Sequence, residues 1–179
     1  IGANANGTEP FIGIISDARV VGGTAIYTAD DETANIPTAP LTAVSGTNML
    51  VSGTDAGIID KSQSAKTITL YGDAKSSTTQ TKFLSSSMYF DGTGDYIQAH
   101  NSNIGNFGTG AFTAEGWFYL TASPSSYISV AGTRTSGSSQ AGWVMAISAS
   151  GFKRQCNIFK HLVSLGIHKG REWKPSAIS

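Results

Sequence analysis

Apolar and polar positions alternate along most of this chain, and that period predicts strands. In Ile12–Val20 one set of alternate positions holds Ile12, Ile14, Ser16, Ala18 and Val20, and the other holds Gly13, Ile15, Asp17 and Arg19. A strand buried on one side and partly covered on the other has this pattern. Phe112–Leu120 repeats it, with Phe112, Ala114, Gly116, Phe118 and Leu120 on one face and Thr113, Glu115, Trp117 and Tyr119 on the other. Shorter strands are predicted at Asn48–Ser52, Ala56–Asp60, Thr67–Tyr71 and Gly142–Ser148. Ser87–Phe90 and Tyr96–Ala99 flank Asp91-Gly-Thr-Gly-Asp95 and predict a hairpin, with the glycines supplying positive φ. Asp30–Thr47, with two prolines among polar residues, predicts a connection without regular structure; Ser123–Ser126 and Thr135–Gln140 predict turns.

The alternation stops near residue 150. In Gly151–Ser179 a helical spacing takes over: Asn157 is placed to cap a short helix through Leu165, with Ile158, Phe159, Leu162 and Val163 along one side. Charge changes at the same place. Residues 1–150 carry 6 Lys/Arg against 11 Asp/Glu, and residues 151–179 carry 6 Lys/Arg against Glu172 alone. A reading-frame change or chimeric join near residue 151 and a basic tail for a partner or membrane surface both account for this segment. The abruptness of the change favours the first.

The segment Phe11–Thr28, FIGIISDARVVGGTAIYT, resembles the closing strand of a laminin-G-like, concanavalin-A-like lectin domain. Ser87–Leu120, with the phrases FDGTGDYI and FTAEGWFY, resembles the opening strands of one. A closing piece ahead of an opening piece is the order expected across the junction of a tandem array. The resemblance therefore implies an all-β, antiparallel jelly-roll sandwich, incomplete or permuted, with a C-terminal segment outside the family. Its expected divisions are 1–29, the end of a preceding repeat; 30–47, a linker; 48–150, the first part of a second repeat; and 151–179, the basic tail. Since first and last strands of this fold are sheet neighbours, Ile12–Val20 is expected to pair antiparallel with Ser86–Phe90 or Tyr96–Ala99. It would bring Ile12, Ile14, Ala18 and Val20 to a core shared with Met88, Phe90 and Phe118.

Charged residues make up 13% of the chain and the formal net charge is zero, so no electrostatic footprint for nucleic acid is present. A lone cysteine, Cys156, excludes an intramolecular disulfide framework. No apolar run reaches the ~20 residues a membrane-spanning helix needs.

Glu115, Trp117 and Tyr119 form the row best suited to a carbohydrate, aromatic faces packing on sugar C–H groups beside a carboxylate acceptor. The same row also suits packing beneath a neighbouring loop. Asp91 and Asp95 flank a turn and are the candidate metal ligands; calcium occurs in laminin-G-like relatives, and a solvated turn accounts for the pair equally simply. Asp17 and Arg19 share a face, as in a same-face ion pair. Asn6-Gly7-Thr8 matches a glycosylation sequon, a pattern short enough to arise by chance.

Glucanases sharing the jelly roll place paired carboxylates on one strand face, and no predicted strand here has Asp or Glu at alternating positions. Asp30, Asp31 and Glu32 cluster in the linker, and His100, His161 and His168 are dispersed. Together with the resemblance, this leads to the expectation of a non-catalytic adhesion or structural module at an extracellular or virion surface, as in a phage tail fibre or microbial surface protein. Its expected partners are a glycan or surface-protein receptor and neighbouring repeats. The alternative is a carbohydrate-binding appendage of a glycoside hydrolase.

Overall fold

The computed structural model describes residues 1–27, 37–100, 104–108, 110–134 and 142–148, together with the strand backbone of 151–156, 162–169 and 174–175. Its elements are β1 (Ile12–Gly22), β2 (Thr47–Thr54), β3 (Gly57–Asp60), β4 (Ile68–Tyr71), β5 (Lys75–Ser77), β6 (Gln80–Thr81) and β7 (Ser87–Asp91). They continue with β8 (Tyr96–Ala99), β9 (Phe112–Leu120), β10 (Ile128–Gly132), β11 (Trp143–Ser148), β12 (Gly151–Cys156), β13 (Leu162–Lys169) and β14 (Lys174–Pro175). The protein is all-β. No helix among the described residues is long and apolar enough to cross a membrane.

The organising strand is β1, which has β9 along one edge and two strands in succession along the other. Its first half pairs with β7, Ile12 to Asp91 through Ile15 to Met88, and its second half pairs with β2, Asp17 to Ser52 through Val21 to Thr47. The antiparallel pairing expected between Ile12–Val20 and Ser86–Phe90 is thus present, whereas Tyr96–Ala99 pairs with β4 instead. Around this centre the large sheet has seven strands, with β3 beside β2, β5 beside β7 and β13 beside β9. All these pairings are antiparallel except that of β13 with β9.

The opposing layer contains β10–β11–β12 and β4–β8. The first residues of the chain join them: the Ile97 amide donates to the Ile1 carbonyl and the Gly2 amide to the Val130 carbonyl, both at 2.8 Å. The core between the layers draws Phe11, Ala18, Val20, Val51, Met88, Phe90 and Phe118 from one side and Ile97, Val130, Trp143 and Met145 from the other. Phe11 meets Phe90 and Phe118 edge-on, with ring centroids 6.0 and 6.2 Å away. Such pairs contribute about 0.5–1.5 kcal/mol beyond the area they bury.

The strict alternation expected along β1 is broken once. Between Ile15 and Ala18, β1 spends one more residue than β9 does, a bulge that puts Ile15, Ala18 and Val20 on the core side. Upstream of it Ile14 lies on the other face, against Trp117, and only Ile12 packs at the margin of the main core. The four-residue set expected to share that core is therefore reduced to Ala18 and Val20, with Ile15 in place of Ile14.

Two further expectations are corrected. Residues 91–95 do not close a hairpin, because β7 belongs to the large sheet and β8 to the opposing layer. The turn is a corner between layers, with Gly92 and Gly94 at φ 87° and 75°. The helix expected to run through Leu165 is also absent where the chain is described: Leu162–Lys169 is a strand. Alternate apolar positions at Val163, Leu165 and Ile167 fit that strand as well as the helical spacing fits a helix. The proposed cap Asn157, the acidic run Asp30–Glu32 and the turn Thr135–Gln140 lie outside the described residues.

Candidate functional site

On the face of the large sheet turned away from the core, β1 and β9 place Arg19 directly across from Glu115. Arg19 donates to Glu115 Oε1 through Nε at 2.8 Å and through Nη2. Tyr27 donates its hydroxyl to Glu115 Oε2 at 2.6 Å. Glu115 is 1% exposed, so the carboxylate is removed from water and both of its oxygens are engaged. Burial and the bond to Glu115 push the Tyr27 phenol up, which keeps it a donor across the physiological range.

The same network holds two stretches of connecting chain onto the sheet. Arg19 donates through Nη1 to the Thr42 carbonyl at 2.6 Å, and the Leu41 amide donates to Asp17 Oδ2 at 2.8 Å. On the other side, the Ile26 amide donates to Thr113 Oγ1 at 2.9 Å. Arg19 therefore closes on Glu115, not on Asp17 as a same-face pair would.

Asp17 sits at the bulge with no exposed surface, and its Oδ1 has no hydrogen-bond partner among the described residues. Burial is the main reason that its carboxyl is pushed up to about 6; the nearby Glu115 charge acts in the same direction, against the Leu41 amide, Lys61 and Arg19. A carboxyl raised in the folded state stabilises fully below its unfolded pKa and loses that contribution as pH rises through the folded one. The window here runs from 3.8 to about 6. The stability difference between Asp17→Asn and the parent should consequently move by about 2 kcal/mol in the variant's favour between pH 4 and pH 7. Urea titrations at the two pH values measure it, and an unchanged difference would contradict the assignment.

The row Glu115, Trp117 and Tyr119 is brought onto one face as expected, but its members differ in access. Trp117 is 4% exposed and meets Phe83 edge-on at 5.5 Å, with the Lys82 ammonium 4.6 Å from its ring centroid. Tyr119, 36% exposed, is the one member with substantial access to solvent. An aromatic platform beside a free carboxylate is not assembled, because Glu115 serves Arg19 and Tyr27.

Asp91 and Asp95 act as acceptors for their own corner. Asp95 is buried and takes the Asp73 amide on Oδ1 at 2.6 Å and the Asp91 amide on Oδ2 at 2.7 Å, while Asp91 Oδ1 takes the Thr93 amide. Among the described residues no group of three or more His, Cys, Asp or Glu is gathered to hold a metal ion. Asp60 plays a similar part after β3: burial raises its carboxyl, but amides of Leu50, Ser62 and Lys66 outweigh that and hold it below the ordinary range.

Sequence reasoning missed the Arg19–Glu115–Tyr27 network. Its members are 96 and 88 residues apart, and nothing local marks them as partners. Asp17 and Arg19 at alternating positions were the visible half of the signal. No protein-family model, curated protein or solved structure matches the chain.

Proposed function

We propose that this protein is a non-catalytic adhesion or structural module of a tandem-repeat protein at an extracellular or virion surface, such as a phage tail fibre or microbial surface protein, presenting loops to a glycan or protein receptor. The observation that carries this reading is the use made of the carboxylates. Glu115, Asp17, Asp60 and Asp95 are buried and hold strands, corners and connecting chain together. A glycosidase instead needs two carboxyl groups facing a shared cleft, one held protonated as the acid. The sandwich is thus suited to be a scaffold, and the exposed aromatic surface at Tyr119 and Tyr127 is what it offers to a receptor. Single exposed aromatics of this kind support contact with a partner at low conformational cost.

The handing of β1 across a Pro-containing connection into the sheet of later residues supports neighbouring repeats as further partners. Incubating the protein with laminarin and related β-glucans should release no reducing ends. Surface binding to receptor-bearing cells or immobilised glycans should weaken several-fold in Tyr127→Ala. Turnover abolished by one Asp or Glu substitution would overturn the reading.

A further inference from the structure

Tyr71 and Tyr96 face each other across the antiparallel pair β4 and β8. Alternation sets them outward: Ile68, Ile97 and Ala99 pack on the core, and both tyrosines occupy the opposite set of positions. Directly opposed residues of such a pair have Cα atoms about 4.5–5.5 Å apart. The two rings accordingly stack, with centroids 4.2 Å apart and planes 7° from parallel.

The surroundings hold this pair in place without sealing it. Gly7 packs against the Tyr96 ring, where an added Cβ would lie 2.8 Å from Cε1, and Tyr71 donates its hydroxyl to Gln98 Oε1 at 3.2 Å. Both tyrosines are half-buried, so water reaches the pair. All six tyrosines of the chain lie among the described residues, and no other two of them are in ring contact. The lone Cys156 leaves the chain no disulfide of its own.

We propose that Tyr71 and Tyr96 are the site of an oxidative cross-link, a dityrosine formed within one chain that ties β4 to β8. A one-electron oxidant of the haem-peroxidase class, driven by hydrogen peroxide, takes one electron from each phenol, and each hydroxyl proton leaves to water. The two phenoxyl radicals join through a ring carbon ortho to each oxygen, forming one C–C bond. The hydrogens on those carbons pass to the oxygens through water, and both phenols are restored. The pair has then lost two electrons and two protons, which reduce one peroxide to two waters. Proximity decides the partner, because rings already in contact meet no cost of being brought together. They must turn out of the stack to bond, and a face open to solvent allows that. The new bond closes the chain between residues 71 and 96, restricting the unfolded state as a disulfide of the same span does. The inference does not depend on the adhesion reading.

The test treats the intact chain, at low micromolar concentration, with hydrogen peroxide and a haem peroxidase, and in parallel with photochemically generated sulfate radical, a smaller oxidant. Monomer recovered by gel filtration should carry dityrosine fluorescence and weigh two hydrogen atoms less. Trypsin should release the peptides 67–75 and 83–134 as one joined species. The unfolding midpoint should rise by about 5–10 °C. Tyr71→Phe and Tyr96→Phe, each keeping the ring, should abolish the monomer's fluorescence, whereas Tyr89→Phe and Tyr119→Phe should retain it. The proposal would be overturned by dityrosine confined to dimers, by its persistence in Tyr71→Phe and Tyr96→Phe, by an unchanged midpoint, or by its absence under both oxidants at doses that couple free N-acetyltyrosine.

Discussion

Replacing Arg19 with Met should lower the stability of the fold by about 3–5 kcal/mol, because it strands a carboxylate inside the protein. Glu115 is 1% exposed and would keep only the Tyr27 hydroxyl, and the Thr42 carbonyl would lose its donor at the same time. Removing both charges should cost far less. In Arg19→Met/Glu115→Leu the buried pair gives way to apolar side chains of similar volume, an exchange that is often neutral because the desolvation of two ions is no longer required. Chemical denaturation of the two single variants and the double variant gives the coupling directly. A double variant as unstable as the sum of the singles would show that the two residues act independently, contrary to the contact seen between them.

Gly13→Ala should cost about 4 kcal/mol or more and should weaken the whole large sheet. Gly13 has φ 145°, and a Cβ built there would lie 2.1 Å from the Tyr119 carbonyl oxygen, which is backbone and cannot swing aside. Strands β1 and β9 would have to part where Ile14 and Ile15 pair with Tyr119 and Phe118. Gly23→Ala is the matched control. It also has positive φ, 81°, but nothing lies within 4 Å of the added methyl, so only the backbone preference of about 1 kcal/mol is lost. Similar midpoints for the two variants in urea would show that close approach of β9 is not what Gly13 permits.

Periodicity made the strands legible and left their partners hidden. Phe112–Leu120 is found with its predicted limits and faces, since nine alternating residues with one apolar side leave little freedom in a sheet. Ile128–Gly132 escaped notice because ISVAG is short and lies between two turn-rich stretches. The bulge at Ser16–Asp17 was illegible: alternation reads straight through it, and only the partner strand shows that a residue has been added. Gly-rich turn chemistry at 91–95 was recognised for its positive φ, but the same residues serve a hairpin and a corner between layers. What selects the corner is Asp95 reaching the Asp73 amide, a contact 22 residues away. For the candidate site, the residue types on the outer face were visible, while their burial depended on connecting chain folding over them.

Strand β1, drawn from ahead of the Pro-containing connection, is the interior strand that holds the later strands in one sheet. Amide hydrogen exchange on the intact chain tests it most directly. The amides of Ile14, Ala18 and Val20 should exchange as slowly as those of Ala114, Gly116 and Phe118 on β9, in a single cooperative opening. Gly13→Ala should accelerate both groups together. Exchange of the β1 amides within seconds while β9 stays protected would contradict the account, because β9 would then hold its place without the strand said to organise it.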